Sequence, residues 1–340
     1  MRENSKYSDK DIIDLLIHSA RLNNPTVNTA ARQPDSPTSM HPNTFFYHLS
    51  KLNENEIKST FERITEELLR FAEPIRGKRV DIAIDTHDWL FYGDRNAEGV
   101  VGTQHKRGTN YAYKFITVCV VEPSFRFTLA VAPIKDYSDK HEVLRYVLER
   151  ALSLVNVRTA YLDSWFFDVY SVRILKELGI DFVIQGRKTT RISRVLSENE
   201  GKDIIVVKDY EMVRKREGPV LKEKVNLFIV PHRYKENEHT YFVTNLHVDE
   251  CNAEYLAELF RKRWGIETSY RVKAGVRLKT CTKKYNVRYF MFLFSAILYN
   301  LWVLFNLVFG VLKFRRVFVE PLITIFNFIT VVLLDSGQPG

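Results

Sequence analysis

A mixed α/β fold is what this sequence predicts, and three observations predict it. Short apolar runs at 80–84 (V-D-I-A-I), 159–162 (T-A-Y-L) and 182–185 (F-V-I-Q) have the length and β-branched content of strands. Amphipathic stretches at 141–154 and 166–178 repeat at helical spacing between the later runs. Runs at 113–121 and 125–132 are joined by Glu122-Pro123-Ser124, which reads as a hairpin. The order β, β, β, α, β, α, β fits a sheet with antiparallel members first and parallel members later, flanked by helices.

Upstream of this, residues 1–76 read as helical. Ser8 is placed to cap a helix carrying Ile12, Ile13, Leu15, Leu16 and Ile17, which Asn24-Pro25-Thr26 ends. A short turn at 27–32 and a loop by composition at 33–40 (Q-P-D-S-P-T-S-M) follow. Pro42 opens a helix with Phe45, Phe46, Leu49 and Leu52, and 53–71 forms another on Ile57, Phe61, Ile64, Leu68 and Leu69. Several short helices with basic edges suit a small DNA-binding domain, and a plain helical bundle fits them equally. The texture changes at Gly77-Lys78-Arg79, so 77–200 reads as the first part of the α/β core. Strand-like runs at 204–207, 227–230 and 241–243 make 201–248 a β-rich insertion. Helical periodicity returns at 253–274, and 249–340 reads as the closing helical part.

Composition narrows the function classes. The chain has 340 residues, 45% apolar content and a net charge of +9, with a pI near 9.3. The excess of cations gathers at 76–79 (R-G-K-R), 214–216 (R-K-R) and 261–273, which suits a nucleic-acid or anionic partner. Cys119, Cys251 and Cys281 are widely spaced with no C-x-x-C pair, so a zinc finger is not expected and a reducing compartment is. The first residues carry no apolar signal core, so the expected location is the cytoplasm, at the nucleoid. Residues 289–312 contain no charge until basic flanks, which is long enough to span a bilayer. Ser295, Asn300 and Asn306 interrupt it, the second apolar run at 322–334 is short, and a buried core helix is the preferred reading, with no membrane partner.

Three acids carry the candidate chemistry. Asp85 follows I-A-I, and Asp163 follows A-Y-L and precedes S-W-F-F, so each is expected where an apolar strand reaches the sheet edge. Taken singly, each also reads as a turn former or helix cap. Glu267 is one carboxylate among Arg261, Lys262, Arg263, Arg271 and Lys273. That is a poor pattern for a plain solvated face and a good one for holding a metal ion against a phosphate. Two magnesium ions about 3.5–4 Å apart can activate an attacking oxygen and steady a leaving one at a phosphodiester. His87 is read as a loop residue.

The chain resembles the DDE transposases of bacterial and archaeal insertion sequences over roughly residues 78–312. The residues that carry this are I-A-I-Asp85, Y-L-Asp163-S-W-F-F and R-K-Arg263-W-G-I-Glu267-T-S-Y-R-V-Lys273. One subgroup of that family carries Tyr-x-x-Arg-x-x-x-Glu-x6-Lys. Arg263 and Glu267 keep the spacing, Phe260 stands at the Tyr position, and Lys273 comes one residue early. The resemblance implies an RNase H-like catalytic core interrupted by a β insertion and closed by an apolar helix containing Tyr299-Asn300. It further implies metal-dependent strand cleavage and strand transfer at the ends of a mobile element. Asp85, Asp163 and Glu267 would hold two Mg2+ or Mn2+ ions. Arg263 would clamp a phosphate, with Arg271 and Lys273 nearby. Trp264 would stack on a displaced base, although a tryptophan between Leu259 and Ile266 more often sits in the core. The implied partners are double-stranded DNA, as terminal inverted repeats and target, and a second copy of the chain as a homodimer on DNA. The competing readings are a DNA-binding protein that kept the fold and lost catalysis, and a protein anchored in a membrane by 289–312.

Overall fold

The computed structural model describes residues 6–22, 26–72, 75, 77–122, 125–214, 220–236, 238–314 and 324–334. The Asn24-Pro25 break, Arg76, the Pro123-Ser124 turn, the cations at 215–216 and residues 315–323 lie outside the described residues. Four helices open the chain: α1 (Asp9–Arg21), α2 (Val27–Ala30), α3 (Pro42–Leu49) and α4 (Glu54–Leu69). α1 and α4 start at capping boxes, Ser8 with Asp11 and Asn53 with Glu56, which satisfy first-turn N–H groups that no helix can satisfy internally.

The core follows as β1 (Arg79–Phe91), β2 (Val101–Lys106), β3 (Thr109–Glu122), β4 (Phe125–Ile134), α5 (Lys140–Leu154), β5 (Asn156–Leu162), α6 (Val169–Glu177), β6 (Phe182–Gln185) and α7 (Thr190–Glu198). β3 pairs antiparallel with β1 and β4, while β1, β5 and β6 run parallel. The order β4-β3-β1-β5-β6 is an RNase H-like mixed sheet. Two boundaries differ from expectation. β1 does not end at Asp85 but continues to Phe91, because β3 goes on pairing with it as far as Phe91↔Tyr111. α6 starts at Val169 rather than 166, because the Asp168 side chain caps it by accepting from the Ser171 N–H.

The insertion contributes β7 (Ile205–Arg214), β8 (Leu221–Pro231) and β9 (His239–Thr244). It is strand-rich as expected, and it prolongs the core sheet: β9 pairs antiparallel with β6, so nine strands form one sheet. The expected helix at 253–274 is two, α8 (Ala253–Phe260) and α9 (Trp264–Val276), with a 3-10 turn at Arg261–Arg263 between them. α10 (Tyr285–Phe314), the short α11 (Ile325–Phe328) and a π-helical segment at Ile329–Leu334 close the described chain.

Strand alternation sets the layers. Val80, Ile82 and Ile84 face α5 and α6, where Leu144, Leu148, Val172 and Leu175 are buried with them. Ala83 turns to the other face, under Phe260, Ile266 and Tyr270 of α8 and α9. Leu15, Phe45, Ile57 and Phe61 of the opening helices share a cluster with Tyr289, Phe292 and Ala296 of α10 and with Phe115 of β3.

α10 is apolar and long enough to cross a membrane, yet Asn300 ties it to the sheet. Between β3 and β4 the register slips, so that Val118 faces Ala130 and Cys119 faces Thr128. Asn300, fully buried, accepts from the Thr128 N–H and donates to the Thr128 carbonyl, both at 2.9 Å. Asn300→Ala leaves two buried backbone groups unpaired. It will cost about 3 kcal/mol, measured as a lower midpoint in urea unfolding.

Candidate active site

The same alternation that buries Ala83 points Asp81, Asp85 and His87 at the α8–α9 face. Asp85 sits one residue past the last β1–β5 pair, Ile84↔Leu162, so Asp163 leaves β5 beside it. Asp163 also caps a 3-10 turn at Ser164–Phe166, accepting from the Trp165 N–H at 3.0 Å. The capping role and the site position coexist in one side chain.

The Arg261–Arg263 turn is stapled to β1 at two points. Lys262 Nζ lies 2.5 Å from Asp81, which also accepts from Arg158 Nε at 2.7 Å. Arg263 Nη1 donates to Asp85 at 3.1 Å. These two pairs fix where α9 begins and place Glu267 in its first turn, where a carboxylate suits the helix dipole. Arg263 Nη2 donates to Glu267 at 2.6 Å. One buried guanidinium therefore joins the first and third acids, and its Nε is buried without a partner.

Burial, followed by the charge of Asp163, pushes the Asp85 carboxyl up to about 7, while Arg263 and the Thr86 N–H pull it down. Burial raises Asp163 as well, opposed chiefly by Arg263. The guanidinium donates to Asp85 and reaches the half-buried Asp163 through its charge alone, so full ionisation of both carboxyls leaves negative charge uncompensated. A divalent cation fits this pair: the donors are hard oxygens and the burial cost is one a cation offsets. As the side chains stand, no three acidic, His or Cys groups among the described residues are close enough to hold an ion together. Glu267 is half exposed and is held by Arg263 rather than facing the two aspartates.

The other expected site residues divide. Arg271 is exposed, as a phosphate contact requires. Trp264 is 52% exposed, so it is not the core residue its neighbours suggest, and its face is open to a base. Lys273 is the correction: it points inward, 4% exposed, with Nζ 3.9 Å from Cys119 Sγ, and as placed it reaches no phosphate. The shorter spacing to Glu267 rotates it off the exposed face, since five intervening residues and six differ by about 100° on a helix. Phe260 is buried against Phe242, its ring centroid 5.0 Å away. His87 is no loop residue. It lies in β1, half-buried beside Tyr270, and desolvation and the Arg277 and Lys273 charges hold it well below the usual histidine range.

An open cleft of about 970 Å3 begins at Asp85 and Asp163 and runs past Lys106, Arg107, Arg277 and Lys279. Arg107, Arg277 and Lys279 also line a second hollow that extends to Arg271. Sequence reasoning missed these four cations and Asp81. The signal for Asp81 was its spacing in steps of two along one strand face with Ala83 and Asp85; the cleft cations come from separate segments that only the fold assembles.

The fold and site define an RNase H-like protein with aspartates at the carboxyl edge of its parallel strands. The profile of the transposase DDE domain family matches residues 76–301, more than half of the chain. The chain belongs to that family, a family of transposition enzymes that generally work with divalent metal ions. Among solved structures it is similar to a piggyBac transposase synaptic complex with hairpin DNA. The TM-score is 0.57 at 13% identity, over 97% of this chain and 72% of that one, a likeness of fold. The comparison with curated proteins finds no match.

Proposed function

We propose that this transposase cuts and rejoins DNA strands at the ends of a mobile element, with Asp85, Asp163 and Glu267 as metal-holding catalytic residues. The observation that carries the reading is the pairing of buried Asp85 with half-buried Asp163 beside Arg263 and Glu267, at the mouth of a cation-lined cleft. Bound there, a pair of Mg2+ or Mn2+ ions would supply an activated attacking oxygen and neutralise the leaving one. Asp85 and Asp163 would hold those ions, and Glu267, carried by α9, would complete the set. Arg263, once Glu267 departs, has Nη2 and Nε free for a phosphodiester oxygen. Arg271 and the cleft cations neutralise neighbouring phosphates, and Trp264 offers a stacking face to an unpaired base.

Double-stranded DNA is the partner this charge pattern suits, as terminal repeats and as target. A homodimer on DNA follows if both ends are cut together, and the working location is the cytoplasm, on the nucleoid. The test is nicking of a supercoiled plasmid carrying the DNA that borders the gene. Nicked product with Mg2+ or Mn2+ and none with EDTA is expected. Binding without nicking under either metal would leave only a DNA-binding descendant of a transposase.

A further inference from the structure

A second cleft, of about 1520 Å3, opens on the other side of Asp163, between the β6–α7 segment, α6 and β7. It takes no part in the site described above. Strand order places β5, which delivers Asp163, between β1 and β6. The first cleft therefore lies on the β1–β2 side of the acids and this one on the β6–β7 side. The two are joined by the chain itself: Phe167 and Asp168, which follow the turn that Asp163 caps, line the second cleft.

Its lining is cationic and aromatic. Lys140 is neutralised by Asp168 at 2.6 Å and Lys222 by Glu211 at 3.1 Å. Arg187 is exposed and makes no ion pair or hydrogen bond among the described residues. Arg191 is exposed too. It gives a hydrogen bond to the Glu211 carbonyl and lies over the Tyr210 ring, its charge unmatched by any carboxylate among the described residues. Arg214 lies over Tyr170 in the same way, 4.6 Å from the ring centroid. Tyr210 is buried under Arg191, while Tyr137, 45% exposed, presents its ring to the cleft; an open aromatic face with guanidinium groups along a positive groove is the make-up of a single-strand nucleic-acid track.

Resting on the reading of the acids as a DNA-cutting site, we infer that this cleft binds the unpaired DNA strand beyond the cut. A strand crossing the acids has chain on both sides of the reacting phosphate. The first cleft takes the element side, and Arg187 and Arg191 take the phosphates on the other.

The test compares two probes on the full chain: an oligothymidylate of about ten nucleotides and a flush-ended duplex. The probes are titrated across a salt series against wild type and the double variant Arg187→Glu/Arg191→Glu. Both side chains are exposed, and circular dichroism checks that the variant is folded. The variant is expected to bind the single strand at least tenfold more weakly. Its slope of log affinity against log salt should flatten by about 1.4, as two lost single-strand phosphate contacts require, with duplex affinity held within twofold. Lys279→Glu/Arg107→Glu is expected to do the reverse. Equal loss on both probes, or no loss on either, overturns the assignment of this cleft. A wild-type chain that binds neither probe overturns the DNA reading itself and this site with it.

Discussion

Asp85→Asn, Asp163→Asn and Glu267→Gln will each lower metal-dependent nicking by on the order of 10³-fold or more, while affinity for the same DNA changes little. The reason is geometric and electrostatic. Asp85 is buried and Asp163 half-buried at the ends of neighbouring parallel strands, and each amide keeps its side chain's volume while removing the charge a cation needs. Glu267 meets the same guanidinium as Asp85, so it belongs to the same charge set. Glu267→Gln also weakens the hold on Arg263, and the DNA-binding arm of the measurement separates that effect from lost chemistry. Full nicking by any one of the three variants would remove that acid from the reaction.

Asp85→Asn will also stabilise the metal-free protein, and increasingly so as pH rises. The folded-state carboxyl titrates near 7, against an ordinary value of 3.8. Between those values the folded chain keeps a proton that the unfolded chain has released, so stability falls as pH rises through that window and levels off above it. At about 1.4 kcal/mol per pH unit, the penalty near pH 8 is on the order of 4 kcal/mol. The variant lacks this penalty. Its advantage over wild type in EDTA will be near zero at pH 4 and greatest above pH 7, read from urea midpoints at each pH. Mg2+ added at pH 8 will raise the wild-type midpoint and leave Asp85→Asn nearly unmoved. A constant difference across pH would show that Asp85 carries no burial penalty.

Much of this arrangement was legible in the chain. The V-D-I-A-I and T-A-Y-L runs read as strands because their side chains are buried on both faces, a local property of composition. The four-residue spacing of Arg263 and Glu267 reads as one helix face, and the structure pairs them there. Other features were not legible. The continuation of β1 past Asp85 depends on β3 pairing with polar residues 86–88, which carry no strand signal of their own. Trp264 looked like core from its apolar neighbours and is exposed. The break between α8 and α9 escaped periodicity because one 3-10 turn shifts phase by too little to register in a short window.

By itself the sequence determined the family and the alternation of strand and helix, and it nominated the three acids, since each of these is written in short-range spacing. Only the tertiary structure decided that Arg263 bridges two acids, that Lys273 turns inward to Cys119, that Asn300 holds an otherwise membrane-like helix to a bulged strand, and that basic clefts lie on both sides of Asp163. Those outcomes depend on charges and backbone groups from distant segments meeting under burial, where an unpaired partner is costly, and no local pattern encodes which distant group will answer.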